Sequence, residues 1–225
     1  TGWLCWVTFL KPKKRTGWYR VLIQRGCLVS NDELLTKLKQ EWFERFDDIL
    51  ADKTTPFSNL KCLELCEARC CPRVGMRPLS PDKIASPVVV LLPFEMEYIM
   101  AKTGVSQDVF RVWPIDLTPE IRIGIGALDL GKPCPFLQDN RLCGIHAHNP
   151  LDCRTFPLLP SLDPAGDMEW TLGENCPSLA FLNPIFAKHM KQTWQDLLPY
   201  IPRAWWDLYA FADHWTGYPE PQHAD

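Results

Sequence analysis

Along residues 32–51 apolar side chains recur at spacings of three and four: Leu34, Leu35, Leu38, Trp42, Phe43, Phe46, Ile49 and Leu50. That period predicts an amphipathic helix with its aromatic stripe in a core. Ser30 or Asn31 is placed to cap it, and Asp32 and Glu33 suit its positive end. Pro93–Gly104 opens on Pro and closes on Gly, the punctuation of a second helix, with Glu95 and Glu97 as first-turn acids. Pro184–Leu198 and Pro202–Trp215 also open on Pro and carry aromatics at helical spacing, including Trp205, Trp206, Tyr209, Phe211 and Trp215, which read as core packing. Strand signals are weaker. Leu4–Leu10 and Trp18–Val29 flank the basic stretch Lys11–Gly17 and predict a hairpin or an extended arm. Val88–Leu92 reads as a short buried strand, Arg122–Ile125 as a weak one, and Ser106–Trp113 as a further turn. Residues 72–87, with four prolines, and the Pro-rich stretch 130–177 read as loop.

The composition changes this picture at three points. The chain has 225 residues, 46% apolar and 23% charged, with a formal net charge of −3. That is a globular composition, and the absence of a basic excess argues against a nucleic-acid binder. The 21 prolines amount to about 9%, roughly twice the usual share. No window reaches the ~18 consecutive apolar residues of a membrane span. The opening apolar run Trp3–Leu10 is too short for one, and no small-residue cleavage site follows it. The chain does not open on Met, which leaves processing or export open; the favoured location is the cytoplasm. Gly124 and Gly126 lack the strand-turn-helix setting of a dinucleotide site, and neither a phosphate-binding GK[ST] loop nor a G-x-S-x-G elbow is present.

The ten cysteines carry the chemical signal. One group is Cys62, Cys66, Cys70 and Cys71; the other is Cys134, Cys143 and Cys153, with Cys176 further on. Cys5 and Cys27 sit in apolar runs and read as small core residues. Clustered thiols serve disulfides, zinc or iron–sulfur clusters. Ten in a chain this long fall below the density of a disulfide scaffold. On one unbroken helix, Cys62 and Cys70 would be separated by a rise of about 12 Å. A zinc ion holds sulfur at about 2.3 Å, so it does not easily take both. A bent segment, two sites or a larger cluster would resolve this. The C-x2-C knuckles of zinc ribbons and the C-x2-C-x2-C run of ferredoxins are both missing. Spacing alone therefore supports a polythiolate metal site and leaves the metal open. His146 and His148 lie between Cys143 and Cys153 and are candidates to flank a metal or relay protons. Arg154, beside Cys153, is placed to offset thiolate charge.

Two stretches, Cys62-Leu-Glu-Leu-Cys66-Glu-Ala-Arg-Cys70-Cys71 and the run from Cys134-Pro-Phe-Leu through Cys143-Gly-Ile-His to Cys153-Arg-Thr-Phe-Pro157, resemble the YkgJ family of cysteine-cluster proteins. Leu91-Leu-Pro-Phe-Glu95 is similar to a short helix start between that family's two groups. His146 stands where the family pattern has Tyr, and Asn149 where it has Arg. The resemblance runs from about Cys62 to Cys176, roughly half the chain. It implies a zinc- or iron-chelating domain with Cys62, Cys66, Cys70, Cys71, Cys134, Cys143, Cys153 and Cys176 as ligands. A related branch, the flagellin lysine N-methylases called FliB, uses similar cysteines with a 4Fe–4S cluster in methyl transfer. That tilts the expected cofactor toward iron–sulfur, with zinc as the alternative, and suggests a peptide or protein partner.

The resulting expectation is an α+β chain, mainly helical, with few short strands and irregular loops stapled by a cysteine-ligated metal. Its expected parts are an arm and amphipathic helix over residues 1–60, a cysteine-cluster core over 61–177, and aromatic helices over 178–225 packing on that core as one unit. The expected function is binding of one or two iron–sulfur clusters, in support of methyl transfer or redox modification of a partner. The competing readings are a structural zinc module without catalysis and a disulfide-bonded exported protein.

Overall fold

A computed structural model of the chain describes residues 7–10, 20–23, 30–51, 88–119, 121–129, 134–172, 179–180 and 182–211. The apolar stripe of the first helix becomes α1 (Asn31–Ala51), with Leu34, Leu38, Trp42 and Phe46 buried. Ser30 caps it through a reciprocal pair: Glu33 N–H donates to Ser30 Oγ, and Ser30 N–H donates to Glu33 Oε2, each at 3.2 Å. α2 (Glu95–Thr103) ends at Gly104, whose φ of 72° lets its N–H reach back to the Met100 carbonyl. α3 (Leu151–Thr155) is a single short turn of helix. α4 (Pro184–Leu197) is capped by Asn183, whose Oδ1 accepts the Ile185 N–H at 2.8 Å. A 3-10 turn at Leu198–Tyr200 leads into α5 (Arg203–Phe211).

The predicted N-terminal hairpin forms as β1 (Val7–Leu10) antiparallel to β2 (Arg20–Ile23), with Val7 opposite Ile23. β3 (Val88–Val90), β4 (Arg111–Thr118) and β5 (Ile121–Asp129) make an antiparallel sheet in the order β3-β5-β4. β6 (Leu158–Leu162) and β7 (Met168–Leu172) form a second hairpin. The α+β class therefore holds, but the strands are more numerous than predicted and β5 is longer. Only Gln107–Val109 of the expected turn at 106–113 is helical, and from Arg111 the chain is strand. The expected loop at 130–177 contains α3 and the β6–β7 hairpin. Pro114 and Pro160 explain why β4 and β6 were not predicted as strands. Each lowers the strand signal, yet Pro114 lies on an edge strand and Pro160 in a two-stranded ribbon, where a missing N–H is tolerated.

One hydrophobic core takes residues from α1, α2, β4, β5, the loop at Phe136 and Ile145, α3, α4 and α5. Described parts of all three expected segments thus share an interior. α2 lies close on β5 at Gly126, where a Cβ would stand 2.8 Å from Met96 Cβ. Trp194, Trp205, Trp206 and Tyr209 pack together, with the Trp205 and Tyr209 rings stacked at 4.7 Å. Trp205 Nε1 donates to the Leu91 carbonyl at 2.7 Å and ties α5 to the segment entering α2.

Candidate metal centre

Three of the predicted ligands lie among the described residues. Cys134 and Cys143 stand at the ends of a tight loop, closed by an antiparallel bridge between Leu137 and Cys143. The Leu137 N–H donates to the Cys134 carbonyl at 3.0 Å, and the Gly144 N–H to the Phe136 carbonyl at 2.7 Å. Phe136 and Ile145 are buried and anchor this loop in the core. Cys134 and Cys143 are half-buried, and Cys153 is exposed on α3. Cys62, Cys66, Cys70, Cys71 and Cys176, together with Cys5 and Cys27, lie outside the described residues.

A buried carboxylate joins this unit to the core. Glu95 is 4% exposed. Its Oε2 accepts the Leu92 N–H at 2.8 Å, and its Oε1 accepts the Leu151 N–H, the first amide of α3, at 2.7 Å. Phe94, immediately before it, has a left-handed φ of 62°. Burial pushes the Glu95 carboxyl up to about 7, against the two N–H bonds, which favour its charged form. The rest of α3 is held as firmly. Thr155, fully buried, donates to the Leu151 carbonyl at 2.9 Å. Asp152 Oδ1 accepts the Tyr209 hydroxyl at 2.8 Å, and burial with that neighbouring acid raises the Tyr209 phenol well above its ordinary range.

The polar residues predicted to flank the metal have separate places. Arg154 donates from Nε to Asn149 Oδ1 at 3.2 Å and from Nη2 to the Ala147 carbonyl at 3.4 Å, bracing the turn His146–His148. Its guanidinium pKa is lowered by burial, an effect partly offset by Glu95 and Tyr98. His146 is exposed. His148 turns to the Tyr98 ring at 5.9 Å, and its buried Nδ1 has no hydrogen-bond partner among the described residues. It lines a recess with Phe46, Glu95, Tyr98 and Asn149 that has room for about one water molecule. Tyr98 donates to Asp47 Oδ1 at 2.6 Å, and Lys102 pairs with the same oxygen at 2.8 Å; these contacts hold the Asp47 carboxyl below its usual range.

Among the described residues no group of three or more His, Cys, Asp and Glu side chains is arranged to hold a metal ion. The thiol donors suit a soft-ligand metal. No described helix is long and apolar enough to cross a membrane. Sequence reasoning read Glu95 only as a first-turn acid and missed its bond to Leu151; it read Tyr209 only as core packing and passed over Asp152. Those partners lie 56 and 57 positions apart, beyond any local pattern. The one available signal was the similarity of Leu91-Leu-Pro-Phe-Glu95 to a helix start between the two cysteine groups. No protein-family model, curated protein or solved structure matches the chain.

Proposed function

We propose that the chain is a metalloprotein whose two cysteine groups ligate one or two iron–sulfur clusters, with 4Fe–4S favoured. The observation that carries this reading is the accessibility of the described cysteines. Free Cys is among the most buried residue types and packs like a small hydrophobe. Here Cys134 and Cys143 only edge the core, and Cys153 is exposed, although the interior beside them is well filled. The helix is nonetheless held by buried hydrogen bonds and the loop by backbone bonds across its turn, as suits a rigid donor set. Cys62, Cys66, Cys70, Cys71 and Cys176 would complete it.

When bound, such a cluster supplies one-electron chemistry and, in the methylase branch that the cysteine motifs resemble, serves methyl transfer. A peptide or protein is the corresponding partner. The protein's own residues would supply the thiolates, a cation at Arg154 beside Cys153, and the hydrogen bonds that hold the loops.

Anaerobic purification followed by quantification of iron, acid-labile sulfide and zinc tests this directly. Brown protein with matched iron and sulfide is expected. Colourless protein with stoichiometric zinc would replace the cluster by a structural zinc site. Protein holding neither metal, with few titratable thiols under denaturant, would overturn metal binding in favour of disulfides. Incubation with S-adenosylmethionine and candidate peptides then addresses catalysis, where a mass shift is expected and unchanged mass would favour a binding module.

A further inference from the structure

We infer that Glu95 is the positioning residue of the cysteine-bearing helix: its buried carboxylate clasps the start of α3 to the entry of α2 and so sets where Cys153 stands. The importance of that placement rests on the metal-centre reading above, whereas the clasp itself is a matter of geometry. α3 has five residues and Pro150 at its N-cap, so it has no side-chain cap of its own. Its first N–H, at Leu151, is buried and has no acceptor within the helix. Glu95 provides one across 56 positions of chain, while its other oxygen takes the Leu92 N–H.

The backbone before Glu95 is bent for the purpose. Phe94 adopts a left-handed conformation that bulky residues avoid, and it does so while buried in the core. Cys153 follows Leu151 by two residues on a single helical turn, so a shift of the Leu151 amide moves the cysteine directly. Glu97 is the natural control. It lies on the same helix, and burial raises its carboxyl too, but its Oε2 has no hydrogen-bond partner among the described residues.

The test compares the unaltered chain with Glu95→Gln, Glu95→Ala and Glu97→Gln. Glutamine keeps the shape and one acceptor but turns an amide NH2 toward one of the two donors. Amide hydrogen exchange is followed at residues 151–154 and, as reference, along α4, in metal-free protein. Iron content and the thiolate-to-iron charge-transfer spectrum are then read after anaerobic reconstitution with ferrous iron and sulfide. Glu95→Gln is expected to speed exchange at 151–154 about tenfold relative to α4, and to lower bound iron or alter the spectrum. Glu97→Gln is expected to change neither. Unchanged exchange at 151–154 in Glu95→Gln, or iron and spectrum identical to the unaltered chain in both Glu95 variants, would overturn the inference. If Glu95→Ala does not fold, Glu95→Gln decides. If the unaltered chain takes up no iron, the metal reading falls, and hydrogen exchange alone decides the clasp.

Discussion

A carboxylate held inside a core has a thermodynamic signature. Glu95 rises from 4.5 to about 7 on burial, so the folded state binds its proton more tightly than the unfolded chain does. Its favourable contribution is complete below about pH 4.5 and is lost as pH climbs to about 7. The shift corresponds to about 3 kcal/mol across that window. Urea denaturation should therefore show the native chain losing stability relative to Glu95→Gln as pH rises through the window, and a pH-independent difference would contradict the shift. Indole nitrogens offer a second comparison. Trp194 and Trp205 are both fully buried, but among the described residues only Trp205 of the two has a hydrogen-bond acceptor, the Leu91 carbonyl. Trp205→Phe should cost about 1 kcal/mol more than Trp194→Phe, because it strands a buried carbonyl. Equal losses in urea midpoint and slope would count against that bond.

Among the elements, α1, α2, α4 and α5 were legible because each shows one apolar face and recognisable end residues. Ser30 with Glu33, Gly104 and Asn183 act where such residues should. β4 and β6 were not, because Pro114 and Pro160 mask strands whose edge position only the sheet order reveals. The packing of α2 on β5 was equally hidden. Glycine at position 126 looks like half of a nucleotide-loop motif in the sequence, but in the fold it admits the Met96 side chain. Gly126→Ala should force α2 and β5 apart and lower stability by about 1–3 kcal/mol. Thermal unfolding with a transition unchanged from the native chain would show that the contact relaxes freely.

For the molecule as a whole, the expectation of a thiolate site rests on the cysteine spacing and the resemblance, not on the fold. The fold adds what spacing cannot carry: the clasp of Glu95 on α3, the Tyr209–Asp152 bond and the Trp205–Leu91 bond, each joining distant parts of the chain. Through them α3 is tied to α2 and α5, while Phe136 and Ile145 root the cysteine loop in the same core. Metal binding would then add to folding stability rather than merely decorate a surface. The most direct measurement is iron, sulfide and zinc per chain in anaerobically prepared native protein, Cys66→Ala and Cys153→Ala, one variant from each cysteine group. The expected result is iron with matching sulfide in the native chain and a marked fall in both variants. No bound metal in the native chain, or undiminished metal in both variants, would contradict a centre shared by the two groups.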